Sequence, residues 1–201
     1  MRPKKKQEKT VSKSDSQSKP KNTGPGEEIA SSLETLIAAL SSHDDGVRMR
    51  ARHSLVAMGK AALPSLIAAL KNKNNLVRWE AAKALGEIGD PKAAPDLVKA
   101  LEDEDFDIRW LAAVALIEMN IKALKPLLHA LMEQGDSILI REGAHHVIHD
   151  LAKGGLRKYL AQVLSALEGI EPTADVPKAA FRALEMLEKE HKLLDAWSHT
   201  F

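Results

Sequence analysis

The sequence predicts an all-α fold, an α-α superhelix of about five antiparallel helix pairs, on three observations. First, one pattern is written twice: Pro64 to Leu70 (PSLIAAL) returns as Pro95 to Leu101 (PDLVKAL), and Val77 to Leu85 (VRWEAAKAL) returns as Ile108 to Leu116 (IRWLAAVAL). Both blocks move by 31 residues, and a constant offset of this size marks stacked supersecondary units. Second, four residues before each repeated arginine stands a residue whose side chain accepts from the free N–H groups of a helix start. Third, only 3% of the 201 residues are aromatic, so the core must be filled by Leu, Ile, Val and Ala, which suit closely approaching helices.

Taken in order, residues 1–26 are expected to form a disordered basic tail, because Lys, Ser, Gln, Pro and Gly dominate and almost no large apolar side chain is present. That tail holds eight basic residues against Glu8 and Asp15, a net charge of +6. The chain as a whole is +1, so the remainder carries −5. A lysine-rich arm attracts phosphates or acidic surfaces without sequence specificity, and only through it is nucleic acid a conceivable partner.

The helical repeats are expected over 27–192, with 193–201 as a C-terminal cap or tail. The pattern extends backward to Leu36–Leu40 and Val47–Ala51, and forward to Leu127–Leu131 and Ile140–Ala144. A last, worn copy spans Val163–Leu167 and Val176–Phe181, with Pro177 where arginine stands elsewhere. The five predicted caps are Asp44, Asn74, Asp105, Ser137 and Thr173. Gly59, Gly89, Asn120 and the pair Gly154 and Gly155 are placed to end the second helices in a left-handed turn. Pro64, Pro95 and Pro126 are placed near the starts of first helices, where a missing N–H does least harm. Asp103, two residues before a cap, is expected to contribute less than Asp105 if its carboxylate is only solvated; loss of the Asp105 cap should cost roughly 1 kcal/mol.

Several function classes are excluded or disfavoured by composition. The chain has no cysteine, which removes disulfides, thiolate catalysis and cysteine zinc sites. No apolar run approaches the roughly 18 residues of a membrane span and no hydrophobic signal region opens the chain, so a cytoplasmic protein is expected. Neither a Ser-His-Asp arrangement nor a glycine-rich phosphate loop is present, and no catalytic residue or cofactor is predicted. Glu142, His146, His149 and Asp150 share one face of a helix at a spacing that suits a divalent metal. They lie on a single helix with no evident further ligand, so a solvated polar face is the expectation and no metal is assigned.

The few aromatic side chains are the more informative feature. At about 100° per residue, Val77, Ala81, Ala84, Leu85 and Ile88 form one core stripe, and Trp79 points away from it. Trp110 stands at the same place in the next repeat, with Val114 and Ile117 on its face, Leu111 at its margin, and Phe106 and Leu76 in the preceding turns. These seven residues are expected to form one exposed apolar patch, the kind of surface that receives a partner.

The motif Pro-x-Leu-[Ile/Val]-x-Ala-Leu, the Asp/Asn cap, [Val/Ile]-Arg and Ala-Ala-x-Ala-Leu-Gly-x-Ile-Gly, complete at Ala81 to Gly89, resemble HEAT-like repeats. They are of the short kind found in the lyases that attach bilins to phycobilisome proteins. The resemblance implies a right-handed superhelix whose second helices line the concave side, and a scaffold that binds a protein or peptide there. It also implies, as an alternative, a bilin lyase-like subunit working with a partner. Deoxyhypusine hydroxylase has a similar repeat with His-Glu pairs just after the repeat arginine. The matching positions here are Met49-Arg50, Trp79-Glu80, Trp110-Leu111 and Glu142-Gly143, so that iron chemistry has no ligands.

Overall fold

The computed structural model describes residues 25–198, so residues 1–24 of the tail expected at 1–26 lie outside the described residues. Ten α-helices and no strand occur among them: α1 (Pro25–Ala39), α2 (Asp45–Met58), α3 (Leu63–Ala69), α4 (Asn75–Ile88), α5 (Ala94–Ala100), α6 (Phe106–Met119), α7 (Ile121–Glu133), α8 (Ile138–Leu151), α9 (Arg157–Leu167) and α10 (Pro172–Ser198). The first helix therefore starts inside the segment expected as tail, and the last runs unbroken through the boundary expected at 192. No helix among the described residues is long and apolar enough to cross a membrane.

Four of the five predicted caps act as expected. Asp44 accepts from the N–H groups of Gly46 and Val47, Asn74 from Leu76, Asp105 from Asp107, and Ser137 from Ile140. Thr173 does not cap, because α10 already begins at Pro172, whose fixed φ favours the first helical position. At the other ends, Gly59, Gly89 and Asn120 take positive φ, whereas Gly154 and Gly155 do not. Pro64 and Pro95 sit in the first turns of α3 and α5, each after a 3-10 turn, Gly59–Ala61 or Pro91–Ala93. In the fourth repeat that turn is absorbed into a longer α-helix, so Pro126 lies inside α7 and not near its start.

Asn120 has φ 55° and ψ −135°, almost the backbone of Gly59 at 54° and −121°. A side chain is strained in this region and glycine is not. Asn120→Gly is expected to raise unfolding free energy by roughly 0.5 to 1 kcal/mol, after the extra freedom of glycine in the unfolded chain is subtracted. Urea unfolding midpoints of the two proteins check this.

Helices α2, α4, α6 and α8 pack side by side in one layer, while α1 pairs with α3 and α5 with α7 in the other. The core is built almost wholly from Leu, Ala, Val and Ile, with Leu40, Leu55, Leu85, Leu97 and Leu116 fully buried and Tyr159 its one aromatic among the described residues. Helices α4 and α6 approach closely: a Cβ on Gly86 would meet the Cβ of Ala115 at 3.1 Å. Gly86 is thus a packing residue in mid-helix, distinct from the helix-ending Gly89.

The fifth pair departs from the predicted register. Helix α9 packs on α8 and α10 packs on α7, so the worn copy continues the two layers in exchanged order. The exchange has a local cause at Gly135, where a Cβ would lie 2.7 Å from the Leu131 carbonyl oxygen and 2.9 Å from Cγ of Pro177. A residue without a side chain there lets Pro177 of α10 close over the end of α7.

Candidate functional site

The repeated arginine is the part that positions the site. Nη1 of Arg48, Arg78, Arg109 and Arg141 donates to the carbonyl six residues earlier, on Ser42, Asn72, Asp103 and Gly135, at 2.6, 2.9, 2.8 and 2.7 Å. Each arginine therefore ties its second helix to the end of the first helix of the same pair. The residue following it is presented at one height in every repeat: Met49, Trp79, Trp110 and Glu142.

The predicted patch divides on this frame. Phe106 and Trp110 are open to solvent, at 64% and 49% exposure. Trp79, expected to be exposed, is only half-buried, and the ammonium of Lys83 stands 4.9 Å from its ring centroid. Leu76 and Val114 are half-buried too. Leu111 and Ile117 pack against the core and form the floor of the patch more than its surface. Two apolar residues that the prediction omitted are exposed at matching repeat positions, Met49 on α2 at 47% exposure and Ile138 on α8 at 63%. Repeat register would have found both: Met49 follows Arg48 as Trp110 follows Arg109, and Ile138 precedes Arg141 by three as Phe106 precedes Arg109.

His146 joins the same surface from α8, its ring 4.6 Å from that of Trp110. The other members of its polar face go elsewhere. His149 stacks on His145 at 5.9 Å, and Asp150 accepts from Lys153 at 2.8 Å, a bond that holds its carboxyl below the usual carboxylate range. Among the described residues no three His, Asp or Glu side chains converge to hold a metal ion.

Four polar contacts join elements of the stack. Asp103 is not merely solvated: it takes Nε and Nη2 of Arg78, from the preceding repeat, at 2.7 and 3.0 Å, and also accepts from its own loop at the N–H of Asp105. That hydrogen bond raises the pKa of Arg78 further, against the opposing effect of burial. Beside it, Asn75 donates to the cap carboxylate of Asp105 at 3.0 Å and holds it below the usual range. Between α2 and α4, buried Glu80 accepts from Arg48 at 3.3 Å and Arg52 at 3.2 Å. At the far end of the stack, Lys158 and Tyr159 both bond the Glu190 carboxylate and strap α10 to α9. Two open hollows on α10, of about 600 and 450 Å³, expose Met186 and Phe181 among side chains of mixed charge. They lie away from Trp110, and no apolar row crosses several helices there.

Residues 63–148 match the family model of HEAT repeats. Among solved structures, the chain is similar to the complex of CpcE and CpcF of phycocyanin lyase from Nostoc sp. PCC7120, with a TM-score of 0.51 and 23% identity, covering 77% of this chain and 99% of that one. Two engineered proteins also align, with TM-scores of 0.42 and 0.40 at 22% and 24% identity; the alignments cover 83% and 81% of this chain and 85% and 50% of theirs. A search of the curated proteins finds no match. At 23% identity the likeness to the CpcE and CpcF complex speaks of fold alone. Residues 63–148 are thus similar to HEAT repeats, and the repeat register and arginine-clamped helix pairs give the described residues an all-α solenoid fold of that kind.

Proposed function

We propose that the chain is a non-catalytic binding module that receives a protein or peptide partner on the layer of second helices, centred on Trp110. The observation that carries this reading is the row of Met49, Phe106, Trp110 and Ile138, each about half or more exposed, in a chain with so few aromatic residues. Exposed apolar side chains at matching repeat positions on three helices have no role in the core they leave, and such surfaces serve association. Trp79, Leu76 and Val114 extend the row toward α2, with Leu111 and Ile117 beneath. A lyase-like subunit is the second reading, favoured by the likeness to the phycocyanin lyase complex, and it also places a partner on the repeat surface. No cofactor is assigned in either reading, and a cytoplasmic setting accompanies both.

The test is a double substitution, Phe106→Ser with Trp110→Ser. Exposed positions change stability by less than about 0.5 kcal/mol, whereas aromatic anchors at an interface contribute about 2 kcal/mol or more. Thermal unfolding should be nearly unchanged, while affinity for a partner recovered from the native host falls at least tenfold. Unfolding of the variant would assign both rings to the core, and unchanged affinity would remove the row from the binding surface.

A further inference from the structure

The repeats carry an internal template for a ligand, visible when Arg78 and Arg109 are compared. Both hold the carbonyls of their own loop through Nη1. Arg78 turns the rest of its guanidinium toward the next loop, where Asp103 takes Nε and Nη2 in a two-pronged contact and Glu104 adds a bond to Nη2 at 3.1 Å. In the loop that follows Arg109, the counterpart of Asp103 is Gly135. The close approach of Pro177 leaves no room there for any side chain.

Arg109 consequently has half of its fork unused. Nη1 bonds Asp103 and Glu104 carbonyls, and among the described residues neither Nε nor Nη2 has a hydrogen-bond partner and no carboxylate pairs with it. Its guanidinium carbon stands 5.5 Å from the ring centroid of Phe106, and Trp110 is the next residue in the chain. The unpaired cation therefore borders the most exposed part of the apolar row.

We propose that this free edge of Arg109 is a subsite for one carboxylate of a peptide or protein partner, set beside an apolar side chain that covers Phe106 and Trp110. The inference rests on the proposed binding role and specifies the chemistry of the partner. A guanidinium fork accepts a carboxylate through two parallel bonds, as Arg78 does with Asp103. Exposed Asp136 holds, in the loop before α8, the register position that Glu104 holds beside Arg78. A negative charge at that position favours a singly charged carboxylate over a doubly charged phosphate.

The experiment uses the full chain and two capped leucine-rich peptides, identical except that one carries aspartate where the other carries asparagine, with inorganic phosphate as a third probe. Calorimetry should show the aspartate peptide binding at least about tenfold more tightly, as expected when a neutral acceptor is replaced by a charged one on an arginine. The ¹⁵Nε resonance of Arg109 should shift with the aspartate peptide and stay in place with the other two. Arg109→Gln should equalise the peptides; because that change also removes the loop clamp, the wild-type Nε measurement decides if the variant fails to fold. Equal affinity of the two peptides, no binding by either, or a shift with phosphate alone would each overturn the carboxylate subsite. The Phe106 and Trp110 double variant separately decides the binding role.

Discussion

Asp103→Ala is expected to lower unfolding free energy by about 2 to 3 kcal/mol, and Asp105→Ala by about 1 kcal/mol, the reverse of the order that solvation of Asp103 would give. Both side chains lie in the loop before α6, and they differ in what they hold. Asp105 caps one helix and accepts from Asn75. Asp103 joins two repeats, because its carboxylate, 9% exposed, meets the Arg78 guanidinium, 8% exposed, at 2.7 Å. Removing one partner of a buried pair leaves an uncompensated charge, a loss of about 3 to 5 kcal/mol when nothing replaces it. Here Glu104 and two carbonyls remain on Arg78, which lowers the expected figure. Asp103→Asn keeps the shape and the acceptor for the Asp105 N–H and should recover part of the loss. Urea unfolding at low and high salt checks the assignment: a screened surface pair would lose its effect in 1 M salt, and this one should retain most of it. Equal losses at the two positions would show that the bridge adds nothing between repeats.

Asp105 also makes stability depend on acid. Its carboxyl titrates lower in the folded chain than the ordinary value, with the Asn75 hydrogen bond as the largest cause. The contribution is therefore complete above the unfolded value of about pH 4 and is lost as pH falls through the lowered folded value. Asn75→Ala should narrow that acid-dependent part of the unfolding curve.

The fold was legible because its determinants are local and repeated. A cap at one position and an arginine four residues on act within a single pair, and four copies of the two place four second helices in one layer, with Ala-Ala-x-Ala-Leu following in α4 and α6. The fifth pair was misread because its placement depends on Pro177 meeting Gly135, a contact between residues 42 positions apart that no local pattern announces. The candidate site was legible in part for the same reason. Helical periodicity put Trp110 and Phe106 outward, but Trp79 is partly covered by Lys83 in its own helix, and Leu111 and Ile117 sink toward neighbouring helices. Periodicity gives a direction, whereas burial depends on what stands opposite. The links between repeats were the least legible: Asp103 occupies a place filled by Ser42, Asn72 and Gly135 in the other loops, so nothing in the repeated pattern marks it as an ionic partner.

The same reasoning makes Glu80 the position where a substitution should be most damaging, with an expected loss of about 3 to 5 kcal/mol for Glu80→Ala. Its equivalents are Arg50, Leu111 and Gly143, and the pattern gives no reason to expect a buried acid. Yet Glu80 is 4% exposed and supplies one carboxylate oxygen to Arg48 and the other to Arg52. Arg48 would keep the Ser42 carbonyl and Asp45 after the change. Arg52 would not be so well served: its Nε lies 3.3 Å from the Glu87 carboxylate but is not aligned for a hydrogen bond, so a guanidinium 6% exposed would retain only a distorted ion pair and the His53 ring. If the loss comes from that stranded charge, removing the charge should restore stability, since apolar side chains of similar volume replace a buried pair at little or no cost. The double variant Arg52→Leu, Glu80→Leu should therefore unfold within about 1 kcal/mol of the wild type, while Glu80→Leu alone remains well below it. A double variant as unstable as the single one would place the contribution of Glu80 with Arg48, and the α2 and α4 interface would then depend on the clamp arginine in addition to its loop.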